Sequence, residues 1–506
     1  MSVIEDWRAV GSISEYVGDG AAARGHLIAG EWVPAAGGGS ITSIDPSNGE
    51  AVAEIAAGDG ADVDRAVGAA REAFEAGWRT ASPIERQDCL LRFADLLYEN
   101  YDELALLDTL EMGAPVTIAR NPLGAQALRW TVRFFAGLAT TVHGVTQQFH
   151  RPGFGPDHSG HTLKEPIGVV AAITAWNSPR ILAINKLAPA LAAGCTVVLK
   201  PSEETSLSAL RIGELAGEAG FPAGVVNVVT GTGAAVGQPL IEHPEVDKVS
   251  FTGSPRVGRA IVEAAAADFK RYTLELGGKS PNIVFADADI DLAVPGAAMA
   301  VFAQTGQACC AGSRLFVERP IYEEFLAKVV DYARRLRVGP GLDPETQIGP
   351  LISERQLDRV LGFVDAGVED GGSIRTGGRR LTEDALADGY FVPPTVVSDL
   401  DPAAPTAREE IFGPVVCAFP FDSVEEAIEL GNDSHYGLAA GVWTNDLGKV
   451  RQVTEGLRAG ILWANTYNLT APGLPWGGFK TSGVGREGGL NALDEYLEEK
   501  GVIVRG

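Results

Sequence analysis

Between residues 167 and 289, short apolar runs typical of strands alternate with longer apolar runs typical of helices. This alternation predicts a parallel sheet with helices packed on its faces. The candidate strands are IGVVAAIT, TVVLK, VVNVVTG, VSFTG and RYTLELG.

The helical runs between these strands carry their own start and stop signals. ILAINKLAPALAAG is apolar at helical spacing, is interrupted by Pro189, and ends at Gly194, where a helix prefers glycine. TSLSALRIGELAGEAG offers Thr205 or Ser206 as an N-terminal cap and Gly220 as a stop. We therefore predict a helix after each of the first two strands.

Three further segments complete the pattern. A second alternating region, from about residue 281 to 463, predicts a second domain. The segment HRPGFGPDHSGH, residues 150–161, is rich in Gly and Pro and predicts a projecting loop or hairpin. The tail LNALDEYLEEKGVIVRG predicts a short acidic helix and one strand. A terminal strand must pair, and another subunit is one candidate partner.

Length and composition indicate a globular enzyme. A chain of 506 residues is too long for one compact core and predicts about two to four domains. Apolar residues form 45% and charged residues 21%, which is not the balance of a disordered chain. No apolar run reaches the roughly 20 residues of a membrane span. The start MSVIEDWRAV lacks a signal-peptide pattern, so we expect a cytoplasmic protein.

Charge and metal-ligand content narrow the possible partners. A net charge of -25 disfavours nucleic acid and anionic lipid, because both bind clustered Lys and Arg, and small molecules remain. With seven His and no CxxC or HExxH spacing, no metal site is expected, and HSGH is interpreted as a polar loop. Five scattered cysteines predict free thiols rather than a disulfide framework.

Three glycine motifs are candidates for phosphate binding. FTGSPRVG, residues 251–258, follows a strand and opens a helix, with Ser254 as its cap; such a turn binds phosphate or only connects two elements. GTGAAVG, residues 231–237, has one residue too many for the dinucleotide fingerprint, and GVGREG, residues 483–488, lacks a preceding strand. Lys200 and Glu203 suit ribose hydroxyls or form a surface ion pair.

Cys309 and Cys310 stand side by side in TGQACCAGSR. Adjacent side chains point in different directions, so at most one of the two faces a given pocket and the other packs. A reactive thiolate needs a cationic neighbour, a helix start or a base, and a buried cysteine is otherwise a small apolar residue. The residues alone do not single out either cysteine.

In their order along nearly the whole chain, these motifs resemble those of the aldehyde dehydrogenase superfamily. The order of so many motifs is far more specific than any one of them. The matching segments are AWNSP (175–179), LKPSE (199–203), GFPAGVVNVVTG (220–231), FTGS (251–254), LELGGKSP (274–281), GQACCAGSR (306–314), EEIFGPV (409–415) and PWGGFKTSG (475–483).

The resemblance implies an α/β fold with three parts. Residues 1–148 and 168–277 would form a Rossmann-like, parallel-sheet NAD-binding domain, and residues 278–480 an α/β catalytic domain. Residues 149–167 and 481–506 would form a small β oligomerisation element of a homodimer or homotetramer.

The resemblance also implies the reaction and its residues. Cys309 would be the nucleophile, Asn177 the oxyanion-binding side chain, Glu275 the general base and Cys310 a packed neighbour. The implied reaction is NAD-dependent, non-acylating oxidation of an aldehyde to the carboxylic acid. It would pass through a thiohemiacetal and a thioester on Cys309, which water activated by Glu275 hydrolyses.

For NAD, the resemblance implies contacts along the whole cofactor. Lys200 and Glu203 would bind the adenosine ribose, Gly233 and Gly237 would lie near the adenine, and Ser254 would face the pyrophosphate. A carboxylate at position 203 repels a 2′-phosphate, so NAD is favoured over NADP. The other implied residues are Trp176, Glu410 and Phe412 on the nicotinamide side, together with Ile173, Thr174, Phe251, Thr252, Gly253, Val257 and Leu276.

One motif departs from the family pattern, and one segment carries no signature of a particular substrate. Many members read PWNFP where this chain reads AWNSP, so Ala175 and Ser178 change the local shape expected for the substrate entrance. In the segment at the family's substrate loop, residues 465–478, Tyr467 and Leu469 either face an apolar or aromatic aldehyde or simply pack.

Three alternatives stay open at the level of the sequence. A CoA-acylating dehydrogenase is disfavoured by Glu275, because a thiolate acceptor does not need this base. A thiol hydrolase or acyltransferase would use Cys309 without a dinucleotide, and no His lies near Cys309 in the sequence. A non-catalytic protein on the same fold would be expected to lack Cys309, Glu275 or Asn177, and all three are present.

Overall fold

The computed structural model describes residues 23–148 and 158–505, together with Ile13 and Val17. Within these ranges the chain forms strands β1 (His26–Ile28), β2 (Glu31–Val33), β3 (Ser40–Ile44), β4 (Ala51–Ala56), β5 (Thr146–Gln148), β6 (His158–Pro166), β7 (Val169–Ile173), β8 (Thr196–Lys200), β9 (Val226–Val228), β10 (Lys248–Thr252), β11 (Arg271–Glu275), β12 (Pro281–Val284), β13 (Arg314–Glu318), β14 (Ser373–Thr376), β15 (Thr395–Ser398), β16 (Val415–Phe421), β17 (Ala439–Trp443), β18 (Ile461–Ala464), β19 (Gly483–Val484) and β20 (Leu497–Arg505).

The helices in the same ranges are α1 (Gly60–Ala76), α2 (Pro83–Glu99), α3 (Tyr101–Met112), α4 (Val116–Ala119), α5 (Pro122–Ala139), α6 (Pro179–Ala193), α7 (Leu207–Glu218), α8 (Gln238–Glu242), α9 (Pro255–Ala265), α10 (Ile290–Phe302), α11 (Tyr322–Arg335), α12 (Glu354–Glu369), α13 (Pro405–Arg408), α14 (Val424–Asn432) and α15 (Leu447–Gly456). None of the helices described is both long and apolar enough to cross a membrane.

The first sheet has the strand order β19-β11-β10-β7-β8-β9-β1-β2. Its five inner strands, β7 to β11, are the five predicted from the sequence, and all of their mutual pairings are parallel. Strands β7, β8 and β10 are buried along their whole length, as expected for a parallel sheet covered by helices on both faces. Antiparallel strands flank this parallel centre on both sides.

Two helix signals in this region act differently from the expectation. The prediction that Pro189 interrupts its helix is wrong, since α6 continues through it to Gly194, which adopts a left-handed conformation with φ 97°. The apolar neighbours of Pro189 are fully buried, and tertiary packing outweighs the lost backbone hydrogen bond. Ser206 precedes α7 but its side chain does not cap it. The Glu111 carboxylate instead accepts from the amides of Ser206 (3.1 Å) and Leu207 (2.9 Å).

The second predicted alternating region forms a separate seven-stranded sheet with the order β14-β15-β16-β13-β12-β17-β18. All of its pairings are parallel except that of β14 with β15. The segment with Cys309 lies between α10 and β13, just before one of the inner strands of this sheet.

The predicted hairpin and tail come together in a third sheet with the order β20-β6-β5. Strands β5 and β6 pair antiparallel, and residues 149–157 between them lie outside the described residues. His158 and His161 belong to β6 rather than to the polar loop that was expected. The tail forms a short 3-10 helix, Leu490–Tyr496, followed by β20, which pairs with β6 of the same chain.

Candidate active site

Four parallel strands of the first sheet end at one edge. Residues Ile173, Lys200, Thr252 and Glu275 are the last residues of β7, β8, β10 and β11. Ile173 is in register with Lys200, and Thr252 with Glu275. In open α/β sheets, ligands bind beyond the carboxyl ends of the strands. The chain therefore brings residues from four distant sequence motifs to one binding edge.

The turn after β10 has the geometry of an anion-binding helix start. The Ser254 hydroxyl accepts from the Val257 amide at 3.4 Å and caps α9. A Cβ atom on Gly253 would overlap the ring of Phe251, and one on Gly258 would lie 2.9 Å from the Leu276 side chain. Glycine at these positions lets the turn and α9 pack closely against the sheet edge.

The end of the edge near β8 carries the predicted ribose-binding pair. The Lys200 ammonium is buried, donates to the Pro201 carbonyl at 2.8 Å and lies 3.3 Å from the Glu203 carboxylate. Burial lowers the pKa of Lys200. The segment Gly233–Gly237 forms one π-helical turn. A Cβ atom added to either of its terminal glycines would meet no other atom of the described chain within 4 Å.

Glu275 is a buried carboxyl group, with 4% of its surface exposed. Neither carboxylate oxygen has a hydrogen-bond partner within the described part of the chain. Burial, and then the charge of Glu487, raise the pKa of Glu275 well above its ordinary value, while Lys186 and Arg486 act in the opposite direction. The carboxylate lies against the backbone of Gly477, because a Cβ atom added to this glycine would lie 2.8 Å from Glu275 Oε1. A buried carboxyl group whose pKa is raised is suited to act as a general base.

The ion pair beside Glu275 was missed by the sequence analysis. Lys186 of α6 and Glu487 are both buried and form an ion pair, and the Lys186 ammonium also donates to the Ser250 hydroxyl at 3.3 Å. One sequence signal was available. Lys186 is the only charged residue in ILAINKLAPALAAG, and a buried lysine needs a partner. Glu487 lies in GVGREG, which was considered only as a phosphate motif.

The two adjacent cysteines differ in their environment. Cys309 is partly exposed, whereas Cys310 is buried. The Cys310 carbonyl accepts from the Tyr467 hydroxyl at 2.9 Å, and its sulfur lies 3.5 Å from Asn468 Oδ1. Of the two cysteines, Cys309 is thus the more exposed residue.

The segment with Cys309 lies close to the residues that follow β11. The backbone of Gly278 passes directly against the Cys309 carbonyl. Contact with the Cys310 sulfur, burial, and the charges of Glu410 and Glu275 all raise the pKa of the Cys309 thiol. Glu410 accepts from the Gly278 amide at 2.9 Å, and burial raises its own pKa to about 7.

The loops with Asn177 and with Phe412 complete the site. The Asn177 side-chain amide donates to the Gln307 carbonyl at 2.8 Å, two residues before Cys309. Trp176 and Phe412 meet edge to face with 5.2 Å between ring centroids. Phe412 has a positive φ of 63°, and its carbonyl accepts from the Gln356 side chain at 2.8 Å.

The two candidate residues of the segment at 465–478 differ in their surroundings. Tyr467 packs, because its ring lies 4.5 Å from that of Trp463 and its hydroxyl donates to Cys310. Leu469 is 69% exposed, and its carbonyl accepts from the Trp463 indole at 2.7 Å. Trp476 packs with Trp463 and Cys309 in one small cluster. Within the described residues, no group of three His, Cys, Asp or Glu side chains is placed to hold a metal.

Comparison with known proteins identifies the family of this chain. The model of the aldehyde dehydrogenase family matches residues 32–502. The chain therefore belongs to the aldehyde dehydrogenase family. It is 43% identical to the phenylacetaldehyde dehydrogenase of Pseudomonas fluorescens, over 94% of this chain and 95% of that protein.

Solved structures show the same fold. An aldehyde dehydrogenase from Bacillus cereus in complex with NAD+ superposes with a TM-score of 0.94 at 42% identity, over 100% of both chains. The betaine aldehyde dehydrogenase of Staphylococcus aureus, also in complex with NAD+, gives a TM-score of 0.94 at 38% identity, over 100% of this chain and 98% of that one.

Proposed function

We propose that this protein oxidises an aldehyde to the carboxylic acid with Cys309 as nucleophile, Asn177 as oxyanion donor, Glu275 as general base and NAD as hydride acceptor. Family membership supports the reaction class. The observation that carries the residue assignment is that the buried Glu275 carboxyl group, which has no hydrogen-bond partner in the described chain, lies close enough to raise the pKa of the partly exposed Cys309. The Gly278 backbone, just after Glu275, also contacts the Cys309 carbonyl.

The residues at the sheet edge fit a dinucleotide. The Thr174 and Thr252 hydroxyls are buried there without a partner in the described chain, which leaves two donors for a ligand. The start of α9 suits a pyrophosphate, and the Lys200 and Glu203 pair suits ribose hydroxyls. Glu410 and Phe412 would hold the nicotinamide end, with Trp176 beside them.

In the first half of the reaction, the Cys309 thiolate would add to the aldehyde carbonyl. One N–H of the Asn177 side chain is held by the Gln307 carbonyl, and its second N–H, together with the Cys309 backbone N–H, would donate to the oxyanion of the tetrahedral adduct. The surroundings raise the pKa of the Cys309 thiol, so its proton must pass to water or to another base before the thiolate adds. Bound NAD would supply the oxidising power by accepting a hydride as the adduct becomes a thioester.

In the second half, water must cleave the Cys309 thioester. Glu275 would take the proton of this water, and its raised pKa makes the carboxylate a stronger base than an exposed glutamate. Asn177 would again donate to the oxyanion as water adds. A buried base that activates water would favour hydrolysis over transfer to CoA or another thiol, and analysis of the product as acid or acyl-CoA tests this choice.

The surface around the site favours uncharged, apolar aldehydes. The segment at residues 465–476 contains no charged side chain, and Leu469 and Leu474 are 69% and 66% exposed there. Exposed apolar groups beside a reactive centre favour an apolar ligand. We expect phenylacetaldehyde to react with a higher kcat/KM than betaine aldehyde, which bears a fixed positive charge. A preference for betaine aldehyde would contradict this substrate class.

The paired variants Cys309→Ala and Cys310→Ala test the reaction directly. NADH absorbance is followed with an aldehyde and each purified protein. Cys309→Ala should abolish NADH formation, and Cys310→Ala should keep it while lowering thermal stability, because Cys310 is packed. Full activity in Cys309→Ala with loss in Cys310→Ala would reverse the assignment.

The domain division, assembly and location expected from the sequence are part of the same proposal. The first sheet supports an NAD-binding domain of residues 1–148 and 168–277. One strand of this sheet, β19, comes from residues 483–484, outside that range. The second sheet supports a catalytic domain of residues 278–480. The third sheet supports an oligomerisation element at 149–167 and 481–506, with β20 as an edge that bears exposed Ile503. We expect a homodimer or homotetramer in the cytoplasm. The variant Ile503→Lys should weaken the contact between subunits, and light scattering should then report a lower molecular mass than for the wild type.

A further inference from the structure

Ser178 is one of the two residues at which this chain departs from the PWNFP pattern, and its hydroxyl makes two hydrogen bonds. It donates to the Asn177 carbonyl at 2.7 Å and accepts from the Gln304 side-chain amide at 3.0 Å. Asn177 and Ser178 belong to the loop between β7 and α6, whereas Gln304 belongs to the loop before Cys309. The serine therefore joins two loops that are far apart in the sequence.

A second hydrogen bond joins the same two loops, and it reaches Gln307 instead of Gln304. The Asn177 side chain donates to the Gln307 carbonyl at 2.8 Å. Gln304 and Gln307 belong to one turn, since the Gln307 amide donates to the Gln304 carbonyl at 3.0 Å. Both connections from the Asn177 loop thus reach a single turn that precedes Cys309.

That turn has an unfavourable backbone conformation. Gln304 has φ 51° and ψ 31°, and Thr305 has φ 58° and ψ 31°, both in the left-handed region. A β-branched residue rarely adopts this conformation, so surrounding contacts must hold it. The Thr305 hydroxyl donates to the Gly349 carbonyl at 3.1 Å, and the Gln304 side chain is held only by Ser178 among the hydrogen bonds of the described chain.

We infer that Ser178 and Gln304 are positioning residues, which hold the turn before Cys309 against the Asn177 loop so that the oxyanion donor and the nucleophile stay aligned. This inference rests on the proposed roles of Asn177 and Cys309. Neither Ser178 nor Gln304 needs to touch the reacting atoms. Alignment of this kind matters because displacement of a reacting group by about 1 Å costs up to about 100-fold in rate.

A double-mutant cycle tests the inference. The variants are Ser178→Ala, Gln304→Met, which keeps the length of the side chain but removes its amide, and the double variant. The rate of NADH formation is measured in a single turnover, together with the KM for the aldehyde. We expect each single variant to lose about 10-fold in rate with a small change in KM, and the double variant to lose about the same 10-fold.

Two further variants separate positioning from simple stability. Ser178→Thr keeps the hydroxyl and should recover most of the rate that Ser178→Ala loses. Ser423→Ala removes the exposed cap of α14, so it should lower the melting temperature without changing the rate. Losses that multiply to about 100-fold in the double variant, or single variants with the wild-type rate, would overturn the inference.

Hydrogen exchange provides a readout that does not need activity. The backbone amides of residues 303–308 should exchange faster in both single variants than in the wild type, because the turn loses the hydrogen bond between Gln304 and Ser178. Unchanged exchange in this segment would overturn the inference. A wild-type protein that forms no NADH would instead contradict the proposed function, so the two failures are distinguishable.

Discussion

Glu487 raises the pKa of Glu275, although the two carboxyl groups come from segments that are far apart in the sequence. Glu487 is paired with the Lys186 ammonium, and all three groups are buried. A charge that is buried beside another changes its protonation far more than an exposed charge does, because little water screens the interaction. The protonation of the proposed base is thus controlled by residues that do not touch the substrate.

The variant Glu275→Gln tests the division of the reaction into two halves. Because hydride transfer precedes hydrolysis, a rapid burst of about one NADH per site should survive. Steady-state turnover should fall by about 100-fold or more, as expected for loss of a general base. The measurement is stopped-flow absorbance. An unchanged steady-state rate would remove Glu275 from the mechanism.

The pH dependence of turnover should follow the protonation of Glu275. The base acts as a carboxylate, and its raised pKa means that this form appears only as the pH rises through that pKa. Turnover limited by hydrolysis should therefore increase with pH. The variant Glu487→Gln removes a negative charge beside Glu275 and leaves the positive charge of Lys186 without its partner. Both changes stabilise the Glu275 carboxylate and so lower the pKa of Glu275. The rising limb of the pH profile should move to lower pH.

The control for this shift is Glu498→Gln, which changes an exposed carboxylate on β20. It should leave the profile in place because solvent screens its charge. A profile that is the same in Glu487→Gln and in the wild type would show that Glu275 does not limit turnover.

Glu203 should decide between NAD and NADP. The Glu203→Gln variant removes the charge that would repel a 2′-phosphate and weakens the hydrogen bonds to the ribose. We expect the KM for NAD to rise by about 10-fold, which is the loss of one charged hydrogen bond, and the KM for NADP to fall. Glu218→Gln, at the far end of α7, is the control. An unchanged ratio of the two kcat/KM values would exclude Glu203 from cofactor choice.

The buried pair of Arg180 and Asp108 should contribute strongly to stability. Arg180 pairs with Asp108, and its guanidinium also donates to the Tyr101 hydroxyl at 3.1 Å and the Ala119 carbonyl at 2.9 Å. Arg180→Met leaves a buried carboxylate unpaired and should cost about 3–5 kcal/mol. Arg451→Met, in an exposed pair with Glu455, should cost less than about 1 kcal/mol.

Urea unfolding of the two arginine variants measures this difference. Equal midpoints for Arg180→Met and the wild type would mean that the buried pair is no more stable than apolar packing at the same place.

The sequence predicted the first sheet closely because its strands are continuous apolar runs bounded by glycine. The five strands from β7 to β11 follow those runs. The helix signals were less reliable, since capping and breaking depend on surroundings. Glu111 caps α7 from a helix about 95 residues earlier, and burial carries α6 through Pro189. A local pattern cannot contain a partner that is distant in the chain.

The sequence by itself determined the order of the motifs, and with it the family, the reaction class and the identity of the proposed nucleophile, donor and base. Only the tertiary structure decided the environment of these groups. It placed Glu487 and Lys186 beside Glu275, buried Cys310 but not Cys309, and joined Ser178 to Gln304. The physical reason is that residue type fixes what chemistry a side chain has, whereas its pKa, exposure and alignment depend on neighbours that folding brings from elsewhere in the chain.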